Sequence, residues 1–278
     1  YFNGTINLGG SNLVSAGNAD IYLVRYAADG THVWSKRFGN ADFNNASGLA
    51  AAPNGDVMLV GPLTGSINFG GSALAPQGTT NGYVARFDVQ GNHVWSRSLL
   101  SSGRVEARKV GVLSDGSAWL AGFFDAAANL DGVSGTEISP TSTGQDLLLV
   151  KYAANGSYLM SRAYNCTGTS TQVTDLAVGA DDAVVLSGSY AGTMFFGLFG
   201  SVSAGANDAF LLKIAPGDGA HRWARRFGGT SNDHFFGFGL TACGDVVAAG
   251  YFNGSVSFGG GDLPNAGSSD AVFARYRQ

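Results

Sequence analysis

Cysteine, proline and glutamate are all scarce in this chain. Cys166 and Cys243 are the only two cysteines, too few for a disulfide scaffold. Six prolines against 43 glycines, with no glycine at every third place, exclude collagen. The acids divide into 18 Asp and 2 Glu (Glu106 and Glu137), and only 13% of residues are charged. A chain rich in Gly and Asp is not mainly helical, because the first is a poor helix former and the second favours turns. No apolar run approaches the ~18 residues that a membrane helix needs. Basic residues are scattered and the pI is near 5.4, so no basic stripe exists for a nucleic acid. A hydrophobic content of 45% with a net charge of −4 excludes disorder. An initiator Met and a signal-like opening are both missing, as in a mature or partial chain. An all-β protein with many tight turns remains.

What is abundant is repetition. Tyr1-Phe2-Asn3-Gly4-Thr5 returns as Tyr251-Phe252-Asn253-Gly254-Ser255. A basic residue closes an apolar strand at Arg25, Arg86, Lys151, Lys213 and Arg275, with steps of 61, 65, 62 and 62. Five residues before each stands Asp20, Asn81, Asp146, Asp208 or Asp270. Nine or ten residues after the first four comes Trp34, Trp95, Met160 or Trp223. Gly61, Gly122, Gly188 and Gly250 form a further column.

Each repeat of about 62 residues divides into four strands by its turn chemistry. A small apolar strand comes first, then a hairpin such as Asn54-Gly55 or Asp115-Gly116, then a second strand ending at the Gly column. A glycine-rich excursion follows, expected to form a short ribbon. The third strand ends in the basic residue, and the fourth carries the tryptophan. An innermost strand of Ala, Gly and Val suits crowding round a common axis, so the expected fold is a β-propeller of four-stranded antiparallel blades. A β-solenoid is the less fitting alternative. The expected divisions are a single domain with a partial blade at 1–40, blades at 41–102, 103–167 and 168–230, and 231–278 as a blade lacking its last strand. Counting strands anticipates five blades, with part of the ring missing from this chain and further residues before Tyr1.

Ala16-Gly17-Asn18-Ala19-Asp20, Trp34-Ser35-Lys36-Arg37-Phe38-Gly39 and Gly250-Tyr251-Phe252 carry a pattern that resembles the bacterial seven-bladed β-propeller repeat family. Asn81, Met160 and Pro62-Leu63 depart from it. The resemblance implies a secreted or cell-surface bacterial protein with a structural or binding role, and it implies no particular reaction.

A residue present in the same column of every repeat serves the repeat, whereas a catalytic group occurs once. By that filter His32, His93 and His221, each two residues before a tryptophan, are structural. His234, beside Asp233, is the only nonrepeating histidine and a weak metal or base candidate. The Asp column is expected to accept backbone N–H bonds at the entry to strand three rather than bind calcium. Asp181-Asp182 is the nearest approach to a calcium run. Cys166 and Cys243 fall on loops expected at opposite faces, so they are not expected to pair.

Glu106, Arg108, Lys109 and Asp175 are the only charges on the inner strands. Lys109 and Asp175 hold matching positions in neighbouring repeats, which suggests an inter-blade ion pair or a small polar site on the axis. Aromatics that end the second strand (Phe2, Phe124, Tyr190 and Phe252) are either sugar-stacking platforms or core residues beneath the excursion. No nucleophile elbow, paired histidines or phosphate loop is present. Asn-x-Ser/Thr triplets such as Asn3-Gly4-Thr5 matter only in a eukaryotic secretory setting. The leading expectation is therefore a noncatalytic extracellular or cell-surface module for protein interaction or self-assembly, with no cofactor, no metal, no nucleic acid and no membrane insertion. Its preferred contact loop is the little-repeated segment 131–145. The alternatives are a multivalent lectin and an axial-site lyase or hydrolase.

Overall fold

The computed structural model describes residues 1–132, 137–140, 144–168, 170–197 and 199–277. Of the segment 131–145, residues 133–136 and 141–143 lie outside the described residues. Every regular element among the described residues is a β-strand. The main strands form five antiparallel sheets in chain order. The first pairs Ile21–Tyr26 with His32–Phe38. The second runs Gly48–Ala51, Val57–Leu63, Asn81–Phe87 and His93–Ser101, each strand beside the next. The third comprises Val105–Val112, Ala118–Phe124, Asp146–Tyr152 and Tyr158–Tyr164. The fourth comprises Thr171–Val178, Val184–Tyr190, Asp208–Ile214 and His221–Phe227. The fifth has His234–Leu240, Val246–Phe252 and Asp270–Tyr276.

Excursions make the expected ribbons at Thr5–Ile6 with Leu13–Val14, Thr193–Phe196 with Phe199–Val202, and Val256–Ser257 with Asp262–Leu263. The excursion of the third repeat differs. Its strand Ala128–Asn129 joins the outer strand of the second sheet, giving that sheet a fifth member.

Sheets pack face to face in sequence order, and alternation along each strand serves two cores at once. Leu148 and Val150 point into the core shared with the second sheet, whereas Leu147 and Leu149 point into the core shared with the fourth. Two further cores join the first to the second sheet and the fourth to the fifth. A strand covered on both faces has no polar side, which is why Leu147-Leu148-Leu149-Val150 reads as an unbroken apolar run.

Polar side chains fasten one sheet to the next. Arg25 donates to the carbonyl of Val89 at 2.9 Å, and Trp34 Nε1 donates to the same oxygen at 3.0 Å. One repeat later, Arg86 and Trp95 share the Ala154 carbonyl at 3.0 and 2.9 Å. In the third sheet Met160 has no N–H to give. Trp119, two strands away in the same sheet, supplies it instead: its Nε1 and Lys151 Nζ meet at the Pro216 carbonyl at 2.9 and 2.8 Å. The accepting hairpins turn at Gly91, Gly156 and Gly219, all with positive φ, and each glycine lies flat against the indole of the preceding sheet.

Candidate functional site

Most repeated polar groups are used by the fold. Asp20, Asp208 and Asp270 each accept the N–H of the alanine four residues earlier, at 2.9, 2.9 and 2.7 Å, which accounts for the Ala-Gly-x-x-Asp pattern. Asn81 does the same with the N–H of Gln77 at 2.6 Å. Asp20 also pairs with Arg37, and Asp208 with Arg226. The rings of His32 and His93 lie against Gly9-Gly10 and Gly70-Gly71 of the excursions. Burial pushes His93 and His221 below the ordinary imidazole value. His234 is lowered for the same reason, against the opposing charge of Asp233. Asp233 is itself committed as a cap, accepting the N–H groups of Gly229 and Asn253 at 2.9 and 3.0 Å. Asp182 accepts the Ser114 N–H of the third sheet at 2.8 Å, so this part of the acidic pair also ties sheets together. No group of three or more metal-ligating side chains occurs among the described residues. Cys166 and Cys243 are not disulfide-bonded.

The strand-end aromatics are not platforms. Phe2, Phe124, Tyr190 and Phe252 are all buried, with 7%, 0%, 0% and 3% of their surface exposed, so they present no ring face to a sugar. The excursions cover them: Tyr190 donates to Ser201 Oγ at 2.8 Å, and Phe252 packs edge-on against Phe258 at 5.6 Å.

The four inner-strand charges separate into two groups. Lys109 and Asp175 do not form the ion pair that their matching positions suggest. Asp175 turns forward to the fifth sheet, where Oδ2 accepts the Phe238 N–H at 3.2 Å beside Gly237. A missing side chain at Gly237 leaves the space it occupies. Glu106 and Arg108, by contrast, belong to a cluster.

That cluster follows from strand geometry. Arg104, Glu106 and Arg108 are two residues apart, so they share one face of the third sheet, and Phe123 is the cross-strand partner of Glu106. The register slips between Ala121–Lys109 and Gly122–Ala107, leaving Arg108 unmatched as a β-bulge. Gly122 permits this, since a Cβ there would lie 1.7 Å from the Glu106 carbonyl oxygen. Bulges re-aim side chains, and here the bulged position carries a guanidinium. The same position is Thr174 in the fourth sheet and Phe236 in the fifth.

Glu106 is buried, with 4% of its side chain exposed, and both oxygens are engaged. Oε1 accepts the Arg104 Nε–H at 2.8 Å and forms an ion pair with its Nη2 at 2.7 Å, and Oε2 forms an ion pair with Arg108 Nη2 at 2.6 Å. A buried carboxylate needs such partners, because an uncompensated charge there would cost several kcal/mol. Both guanidinium carbons stand over the Phe123 ring, 4.9 and 5.3 Å from its centre. Arg104 is held at its backbone too, where Asp125 Oδ1 accepts its N–H at 2.7 Å. The guanidiniums line an open cavity of about 340 Å³ between the third and fourth sheets, with Gln145, Thr171 and Gln172 on the other side. Sequence reasoning found Glu106 and Arg108. It missed Arg104, which precedes the strand, although its two-residue spacing from Glu106 was a signal. Gln145 ends the segment 131–145 expected as a contact loop, whereas Gln172 carried no such signal.

No protein-family model matches the chain, and none of the curated proteins matches it. Among solved structures, the chain is similar to the Dos1 propeller at 11% identity and a TM-score of 0.42, over 82% of this chain. It spans 47% of that chain, which is about half its length. A protein of unknown function from Bacteroides caccae is similar at 12% identity and a TM-score of 0.42, over 93% of this chain and 73% of that one. No helix among the described residues is long and apolar enough to cross a membrane.

Proposed function

We propose that the five sheets are blades of a β-propeller and that the chain is a noncatalytic binding module, secreted or displayed on a bacterial surface, which engages a partner between its third and fourth sheets. The observation that carries this reading is the pair of nonrepeated arginines, Arg104 and Arg108, that line one open cavity and are held by the buried Glu106. Groups present in every repeat are consumed by caps and inter-sheet ties, so the nonrepeated ones are those left for function. Both Glu106 oxygens already bind arginines, an arrangement that suits holding a ligand rather than moving its protons. The family resemblance supports the extracellular setting. A fragment screen read by protein-observed NMR tests the reading. Compounds are expected to perturb Arg104, Phe123 and Gln172 together, and a screen whose binders all map elsewhere would refute it.

A further inference from the structure

We propose that this cavity recognises a carboxylate, an inference that rests on reading the cavity as the binding site. The two charged residues that line the cavity are both arginines, Arg104 and Arg108, in a chain whose net charge is −4. Glu106 occupies only part of their donor capacity. Arg108 pairs with it through Nη2, and among the described residues its Nε and Nη1, like Nη1 of Arg104, donate no hydrogen bond to the protein. These side chains are 39% and 37% exposed, so the remaining donors face the cavity and solvent rather than the core.

The arginines are also fixed before any ligand arrives. Glu106 orients both from beneath, and the Phe123 ring backs both planes. A preset planar fork loses little freedom on binding and pairs bidentately with the two oxygens of a carboxylate. The opposite wall adds neutral donors. Among the described residues the side-chain amides of Gln145 and Gln172 make no protein hydrogen bond, while Thr171 Oγ1 donates to the Gln145 carbonyl at 2.6 Å. No acidic residue among those described lines the cavity itself: Glu106 pairs with the arginines from outside the lining, and Asp125 holds Arg104 through its backbone N–H. At about 340 Å³ the space admits a small acid or the end of a peptide.

Isothermal titration calorimetry with succinate, its neutral isostere succinamide, and inorganic phosphate tests this. Succinate is expected to bind, to weaken with added salt, and to lose at least about tenfold in affinity in Arg108→Gln. Gln172→Glu places a like charge at the exposed rim without touching the core, and it is expected to weaken succinate by a similar factor. That variant keeps the test open should Arg108→Gln fail to fold. A short peptide with a free C-terminus, set against its C-terminal amide, separates the sources. Preference for the free end identifies a protein terminus, and binding of succinate alone identifies a small acid. Succinamide or phosphate binding as tightly as succinate would overturn the carboxylate assignment, as would unchanged affinity in both variants or no binding by any acid. If neutral fragments still map to the cavity, only the ligand class is wrong. If nothing maps there, the binding reading fails as well.

Discussion

Replacing Gly156 by alanine measures how tightly one sheet is fastened to the next. Gly156 turns the hairpin of the third sheet at φ +83°, and a Cβ built there meets Trp95 of the second sheet at 2.6 Å. An L-residue in the left-handed region costs about 1–2 kcal/mol, offset by about 0.4–1 kcal/mol from a stiffer unfolded chain. The net backbone effect is therefore about 1 kcal/mol. The second contribution is compression of the indole, whose Nε1 is tied to the Ala154 carbonyl at 2.9 Å and cannot retreat without breaking that bond. Overpacking of this kind costs about 1–3 kcal/mol, so Gly156→Ala should destabilise by about 2–4 kcal/mol. Gly30 is the reference: it has the same place in its hairpin, φ +86°, and nothing within 4 Å. Gly30→Ala should lose only the backbone share. Equilibrium urea denaturation, followed by tryptophan fluorescence and near-UV circular dichroism, supplies the free energies. The decisive comparison is Gly156→Ala in a Trp95→Leu background, where the smaller side chain yields and the cost should fall back to about 1 kcal/mol. Equal costs in the two backgrounds, within about 0.5 kcal/mol, would refute the idea that the indole and the turn hold the sheets together.

Three other outcomes follow from the same contacts. Burial lowers the pKa of His93, His221 and His234, so between their folded values and the unfolded value of 6.5 the unfolded chain binds more protons. Stability should be full above that value and fall as pH drops below it. Urea midpoints at pH 7.5 and 5.5 check this, and a His93→Gln, His221→Gln variant with an undiminished pH slope would contradict it. Asp208→Ala should cost about 1–3 kcal/mol, because it removes the acceptor of the Ala204 N–H and the buried partner of Arg226. Asp208→Asn should cost clearly less, since Asn81 performs the same capping in the second sheet, and thermal melts that rank the two variants the other way would count against the cap. Cys243 is exposed, whereas Cys166 is buried with its thiol pKa pushed up by that burial. A thiol reagent should therefore modify one cysteine quickly in the native protein and the second only after unfolding; two fast equivalents would contradict this placement.

Much of the fold was legible because its signals are local. The Asp caps span four residues and the hairpin glycines occupy turns of a few residues, so both recur visibly in register. The candidate site was only half legible. Alternation places Arg104, Glu106 and Arg108 on one face, but Thr171 and Gln172 of the lining come from the fourth sheet.

By itself, then, the sequence determined the strands, their order, the turns and the caps, because each depends on groups within a few residues or on a two-residue period. Tertiary structure alone decided which side chains meet between sheets. Trp119 replaces the indole missing at Met160 by reaching a carbonyl 97 residues away. Asp175 faces forward to Phe238 instead of back to Lys109. Gly122 admits the bulge that presents Arg108. The physical reason is common to all three: contacts between stacked sheets depend on bulges, twist and the space left by absent side chains, none of which is written in the spacing of residues along one strand.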